Sequence, residues 1–357
     1  MRIVYVVGTR PNFVKTAPVI GALRERLPDA RHAVVHTGQH YDRLMSEVFF
    51  EELGTPAPDH MLEVGSGSHA QQTARVIERL EPVLDEERPD LVIVPGDVNS
   101  TAAAALTAAK MQIPVAHVEA GLRSFDRTMP EELNRIVTDQ LAELLFIHSP
   151  EAEDNLHAEG VAAERIHLVG NTMIDTLVAL EPRFRAAGAA ARLDVEPGAF
   201  VLVTLHRPAL VDGPLLPGTI ERLAALAREM PVVFPIHPRT RSHMESIASE
   251  HPGLLLCDPL GYLDFLSLLA DAGAVLTDSG GIQEETTYLG IPCFTLRANT
   301  ERPITLTAGT NTLLGLNPSA IAQIPEALAR RRPGKPSPPP LWDGHASERI
   351  AAIVARR

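Results

Sequence analysis

Short apolar runs rich in Val, Ile and Leu alternate with longer stretches of helical period along most of the chain. Candidate strands are Ile3–Val7, Ala33–His36, Leu91–Val94, Val115–Val118, Leu144–Ile147 and Ile166–Val169. The rhythm restarts after Asn171 with Val201–Leu205, Val232–Ile236, Leu254–Cys257, Ala274–Thr277 and Cys293–Leu296. Continuous runs, as opposed to alternating ones, suit strands buried on both faces of a parallel sheet. Ala70–Leu84 and Thr101–Lys110 are clear helical stretches between them. Repeated strand–helix alternation predicts an α/β, doubly wound architecture. The two series are separated by an Ala-, Arg-, Gly- and Pro-rich stretch, and a hinge is expected near 172–198. The predicted domains are residues 1–171 and 172–340. The Pro-rich segment Arg332–Pro340 reads as a semi-rigid spacer that carries a final helix, residues 345–357, back onto the first domain.

Length agrees with this division, since 357 residues exceed the roughly 100–200 of one domain. With 32 basic and 45 acidic residues, the formal charge of −13 argues against a general nucleic-acid or anionic-membrane binder. Two cysteines, Cys257 and Cys293, cannot build a disulfide framework or a cysteine zinc site. The histidines lack metal-type spacing, so no metal site is expected. No apolar run reaches the roughly 18–20 residues of a membrane span. The opening residues read as a buried strand in place of a signal peptide, which gives a cytoplasmic expectation.

Open α/β sheets bind ligands just beyond the carboxyl ends of their strands. Those positions here are unusually polar: Gly8-Thr9-Arg10-Pro11 with Lys15, Thr37-Gly38-Gln39-His40, Gly96-Asp97, and Glu119 with Arg123. His206-Arg207, His237 and Asp278-Ser279-Gly280-Gly281 follow in the second half. In the last of these a strand ends, glycines turn, and a helix begins, an arrangement that suits a phosphate. An ordinary cap by Ser279 or Asp278 is the competing reading. Arg10 and Arg302 are candidates to neutralise a diphosphate, although Arg302 could equally pair with Glu301. Asp97, Glu119, Glu131 and Glu132 are candidate acids and bases. Structural alternatives are a helix cap for Asp97, an ion pair with Arg123 for Glu119, and one with Arg135 for Glu132. His117, mid-strand, reads as a hydrogen-bonded core residue. Neither G-x-G-x-x-G nor G-x-x-x-x-G-K-[ST] occurs, which disfavours a nicotinamide turn or a Walker NTPase.

Taken in order, these motifs resemble the non-hydrolysing UDP-N-acetylglucosamine 2-epimerases, a GT-B-fold family. The matching pieces include GTRPNFVKTAP (8–18), TGQH (37–40), PGDVNST (95–101), HVEAGLR (117–123) and PEELNR (130–135). VGNTMIDTL (169–177), PIHP (235–238), TDSGGIQEE (277–285), TERP (300–303) and AGTNTLLG (308–315) continue the series, so the resemblance covers essentially the whole chain. It implies two Rossmann-like domains with parallel sheets facing across a cleft. It also implies inversion of C2 of the sugar, interconverting UDP-GlcNAc and UDP-ManNAc by elimination of UDP to 2-acetamidoglucal and re-addition.

By the same resemblance, Asp97, Glu119 and Glu131 match the catalytic carboxylates, and Lys15 and His206 match residues near the sugar and diphosphate. Arg10, Ser279, Gly280 and Gly281 would hold the diphosphate with Arg302 close by. His237 lies with the substrate-binding residues, Glu285 would bind the ribose hydroxyls, and Phe265 flanks the uracil. Gln39 and His40 fall in the segment that contacts a second, activating UDP-GlcNAc in several bacterial members. The resemblance implies a UDP-sugar substrate, no cofactor and a homodimer. The family's usual GTRPEAIK reads GTRPNFVK here, GDTTTT reads GDVNST and HRRE reads HRPA. These departures open related UDP-2-acetamido sugars as substrates. Other readings are a hydrolysing 2-epimerase releasing ManNAc and UDP, a glycosyltransferase of the same fold, and a non-enzymatic nucleotide-sugar sensor.

Overall fold

The structure, a computed structural model, describes residues 1–38, 52–54, 57–207, 210, 213–236, 248–330 and 337–357. Gln39, His40 and His237 lie outside these residues. The chain forms two units, Met1–Ala179 with Pro340–Arg357, and Leu180–Pro339.

In the first unit the apolar runs become β1 (Arg2–Val7), β2 (Arg31–His36), β3 (His60–Met61), β4 (Leu91–Pro95), β5 (Val115–Val118), β6 (Leu144–Ile147) and β7 (Ile166–Leu168). All pairings are parallel, in the order β3-β2-β1-β4-β5-β6-β7. In the second unit β8 (Val201–Thr204), β9 (Val232–Pro235), β10 (Leu254–Cys257), β11 (Ala274–Thr277), β12 (Cys293–Thr295) and β13 (Asn311–Leu313) pair in parallel as β10-β9-β8-β11-β12-β13. The expected α/β fold class, parallel sheets in two Rossmann-like units, is what each sheet shows. Both sheets reverse direction of growth at one place, between β1 and β4 and between β8 and β11. Such a switch point leaves a crevice at the strand ends because successive crossovers leave it on opposite sides.

Covering the first sheet are α1 (Arg10–Arg26), α2 (His69–Glu87), α3 (Asn99–Lys110), α4 (Pro130–Leu141), α5 (Pro150–Ala158) and α6 (Thr172–Ala187). Strand residues Val4, Val6, Val92, Val94 and Leu145 bury fully against Val76, Leu80, Ala104 and Leu156 of these helices.

The division between units falls at Ala179/Leu180, inside α6, and not at residue 171 as the sequence reading had it. The first turns of α6 belong to the first unit for a specific reason. Thr176 donates from Oγ1 to the Val14 carbonyl at 2.6 Å, and the buried Asp175 carboxylate accepts from the amides of Ala346 and Ser347 at 3.0 and 2.6 Å. Asp175 thereby caps the helix Ala346–Val354 and holds the chain's last helix on this unit. Trp342, almost wholly buried, donates from Nε1 to the His148 carbonyl at 2.9 Å beside it. The stretch 172–198, read as a hinge, is largely helical, continuing as Ala189–Arg192 after α6.

Candidate active site

At the first switch point the chain leaves β1 through Gly8 and Thr9 and enters α1. Asn12 fastens this turn: its Oδ1 accepts from the amides of Gly8 and Thr9 at 3.3 and 3.1 Å, and its Nδ2 donates to the Pro95 carbonyl at 3.1 Å. The ends of β1 and β4 are thus joined through one side chain. One turn further along α1, Lys15 points at the same place. Its ammonium lies 2.5 Å from Glu119 Oε2, with both side chains over nine-tenths buried. A buried charge without its partner is costly, so each ion fixes the other.

Gly96 makes room for that pair. It sits at φ 65°, and a Cβ there would come within 3.2 Å of Lys15 Nζ and 3.3 Å of Asn12 Nδ2. Glu119 itself has φ 69°, a left-handed conformation that costs a non-glycine residue about 1–2 kcal/mol. The turn is bought by a sharing of one acceptor: the amides of Glu119 and Ala120 both donate to the Phe146 carbonyl, at 3.0 and 3.1 Å. Strained backbone of this sort gathers at functional sites, where surrounding structure holds it.

Asp97 is not the cap of α3. That position is Val98, with no side-chain bond, while Asp97 meets Arg135 Nη1 at 2.5 Å. Arg135, fully buried in α4, also meets Glu132 at 2.7 Å. Glu132 is structural in every contact, accepting from the amides of Ser124 and Phe125 at 2.9 and 2.8 Å. Burial opposes its charge, but these amides and Arg135 outweigh burial and hold it below the usual carboxylate range. Its neighbour Glu131, half-buried at the start of α4, makes no such bond among the described residues. Asn134 donates to the Asp97 carbonyl at 2.9 Å and to Asn99 Oδ1 at 3.2 Å. Arg10, at the first residue of α1, is exposed.

Arg123 does not pair with Glu119. It lies 2.8 Å from Asp139 and forms a two-point bond with Glu159, both at 2.7 Å. Asp139 in turn meets His117 Nδ1 at 2.6 Å, and the His117 ring reaches the Gly96 carbonyl at 2.7 Å through Nε2.

The second switch point has a different character. His206, just after β8, presents a side chain that is 64% exposed, with Nδ1 2.7 Å from the fully buried Asp278. Asp278 also accepts from the amides of His206 and Arg207 at 3.0 and 2.8 Å. Burial works against the Asp278 charge, but His206 and these amides prevail and keep its carboxyl below the ordinary range. With Nδ1 engaged by a carboxylate, Nε2 is the nitrogen left facing solvent.

Ser279 precedes helix α9, counting Leu216–Leu226 as α7, Tyr262–Asp271 as α8 and Gly280–Leu289 as α9. Its hydroxyl makes no capping bond, so the amides that open α9 are served by no side chain of their own cap. Ser279, Gly280 and Gly281 are half-buried there. A Cβ at Gly280 would drive into the guanidinium of Arg302, which explains the glycine. Arg302 is buried and lies 2.6 Å from Glu301 and 3.1 Å from Glu284, so the ion pair with Glu301 that competes with phosphate binding is present. Its positive charge is met before any ligand arrives.

Glu285, buried one turn into α9, accepts from the Tyr262 hydroxyl at 3.0 Å. Burial pushes its carboxyl up to about 7, with Tyr262 opposing and Glu284 adding to the rise. Phe265 is half-buried one turn further along α8. Sequence reasoning did not single out Arg135 for Asp97, Tyr262 for Glu285, or Asp278 for His206 as partners. Among the described residues no three His, Cys, Asp or Glu side chains form a metal-binding group, and no helix is long and apolar enough to cross a membrane.

Residues 22–355 match the family described as UDP-N-acetylglucosamine 2-epimerase. A UDP-N-acetylglucosamine 2-epimerase of Methanocaldococcus jannaschii is 39% identical over 368 aligned positions, covering 99% of each chain. A UDP-2,3-diacetamido-2,3-dideoxy-D-glucuronate 2-epimerase of Pseudomonas aeruginosa is 41% identical over 363 positions, covering 100% of each. The crystal structure of the M. jannaschii UDP-GlcNAc 2-epimerase in complex with UDP-GlcNAc and UDP superposes with a TM-score of 0.90 at 38% identity, again over 100% of both chains. This chain belongs to the UDP-N-acetylglucosamine 2-epimerase family.

Proposed function

We propose that this protein inverts C2 of a UDP-linked 2-acetamido sugar, interconverting UDP-GlcNAc and UDP-ManNAc without net hydrolysis. The observation that carries the reading is the end-to-end match to a 2-epimerase whose crystal structure holds UDP-GlcNAc and UDP. The buried Lys15–Glu119 pair beside Asp97 supports it, because the chemistry needs acids and bases that water does not level.

The C2 hydrogen is not acidic, so its loss must be coupled to departure of the diphosphate. A carboxylate takes the proton, the C2–H electron pair becomes the C1–C2 double bond, and the C1–O bond breaks toward UDP. Protonation of C2 on the opposite face and return of the UDP oxygen to C1 complete the inversion. Asp97, Glu119 and Glu131 supply the acid and the base in this scheme. Asp97 and Glu119 come with their own cations, Arg135 and Lys15. Each well-placed acid or base contributes about 10²–10⁴-fold. In the second unit His206, held by Asp278, and the amides that open α9 serve the diphosphate. Glu285 binds the ribose hydroxyls. The same resemblance extends the proposal to a cytoplasmic homodimer, which sedimentation of the purified protein and cell fractionation test.

A second reading rests on the Pseudomonas aeruginosa relative: the same inversion on a sugar bearing a 3-acetamido group and a C6 carboxylate. Incubating the enzyme separately with UDP-GlcNAc and with UDP-2,3-diacetamido-2,3-dideoxy-D-glucuronate, and following C2 configuration by proton NMR, separates the two. The expected result is UDP-ManNAc with only trace UDP at equilibrium. Turnover of the glucuronate alone moves the substrate to the second reading. Stoichiometric UDP release with free ManNAc would establish the hydrolysing outcome.

A further inference from the structure

His117 has a hydrogen-bond partner at each ring nitrogen. Nε2 faces the Gly96 carbonyl at 2.7 Å and Nδ1 faces Asp139 Oδ1 at 2.6 Å, with the ring fully buried. A carbonyl can only accept. Burial of the Asp139 carboxyl is outweighed by His117 and Arg123, which hold it below the usual range. Its Oδ2 is occupied by Arg123 Nη1 at 2.8 Å and the Gly121 amide at 3.1 Å. Both ring nitrogens of His117 thus face acceptors, within a largely buried set that includes Arg123, Asp139 and Glu159.

The two groups that His117 joins are not arbitrary. Gly96 is the residue before Asp97, and its own amide donates to the Val118 carbonyl at 2.9 Å. Gly121, held by Asp139, lies two residues beyond Glu119 in the strained turn. At this end of the sheet Lys15 from α1 and Arg135 from α4 are each paired with one of the two carboxylates.

We propose that His117 is a positioning residue for proton transfer: its two N–H groups clamp the Gly96 carbonyl to the Asp139 carboxylate and fix the turns carrying Asp97 and Glu119. This rests on the C2 chemistry proposed above. A small misplacement of reacting groups costs roughly 10²-fold. His117→Gln can serve one of the two acceptors but not both, because its carbonyl oxygen repels the other.

The test has two arms. Neutron crystallography of the perdeuterated wild-type protein at pH 7.5 should show deuterium on both His117 nitrogens. A bare nitrogen overturns the proposal, whatever the variant does. His117→Gln, checked for folding by its melting curve, should lose about 10²-fold in kcat for C2 inversion with KM and UDP affinity within threefold of wild type. A kcat within threefold of wild type would also overturn it. Where His117→Gln does not fold, Asp139→Asn, which keeps the shape and weakens the same clamp, is read for the same split. Failure of the functional reading is distinct: the wild-type enzyme would then turn over no UDP sugar, while the neutron result would stand.

Discussion

The two units repeat one strand order, yet their switch points are furnished in opposite ways. In the first, two ion pairs stand ready, Lys15 with Glu119, both buried, and the partly exposed Asp97 with the buried Arg135. In the second, His206 stands in solvent and the amides at the start of α9 lack a side-chain cap. A pre-paired, buried site suits moving a proton, where geometry and dryness count. An open helix terminus with glycines suits holding an anion that arrives with the substrate. On the proposed reading, one fold, built twice, yields a reacting site in the first unit and a binding site in the second.

The largest expected effect separates these sites by activity. Glu119→Gln should lower C2 exchange by about 10²–10⁴-fold while UDP affinity, measured by calorimetry, stays within a few-fold. A matched loss of UDP affinity would place Glu119 in binding. Stability offers the next contrast. Lys15→Met leaves Glu119 buried without its cation and should cost about 3–5 kcal/mol in denaturant melts. Lys15→Met with Glu119→Gln should recover most of that. His206→Ala takes one partner from the buried Asp278 but leaves its two amide donors in place, so it should cost less, about 1–3 kcal/mol.

Glu285 gives a pH dependence on the binding side. Its carboxyl stands at about 7 in the folded protein against 4.5 unperturbed, so the folded state holds more protons than the unfolded one between these values. Stability should fall as pH rises through that window, by on the order of 2–3 kcal/mol, and Glu285→Gln should remove this slope. Urea melts at pH 5 and pH 8 check it. Gly280→Ala, which forces a methyl group into Arg302, should cost about 1–3 kcal/mol and weaken UDP binding more than C2 chemistry.

How far the sequence reached follows from which contacts are local. Every apolar run read as a strand is one; inside the sheets burial on both faces keeps the runs apolar, while the edge strands β7 and β10 are only partly buried. The strands not foreseen, His60–Met61 and Asn311–Leu313, are short edge strands with too few apolar residues to register. The strand-end placement of the candidate residues was legible from topology alone. The Glu132–Arg135 pair, three residues apart on one helix, was legible as well. The reach of Arg135 to Asp97, 38 residues away, was not. Arg123 looked like the partner of Glu119 four residues before it, but left-handed residues at Glu119 and Gly121 turn the chain between them, and Arg123 goes to Asp139 and Glu159. Asp175 and Thr176, which bind the first unit through side chains, moved the domain boundary beyond residue 171 for the same reason.

The most direct test of the division into a reacting site and a binding site is solvent exchange at C2. Wild-type enzyme, UDP-GlcNAc and D2O should give deuterium at C2 in both epimers, and Glu119→Gln should abolish it while still binding UDP. Absence of exchange with UDP-GlcNAc and with UDP-2,3-diacetamido-2,3-dideoxy-D-glucuronate, in a folded protein that binds UDP, would contradict it.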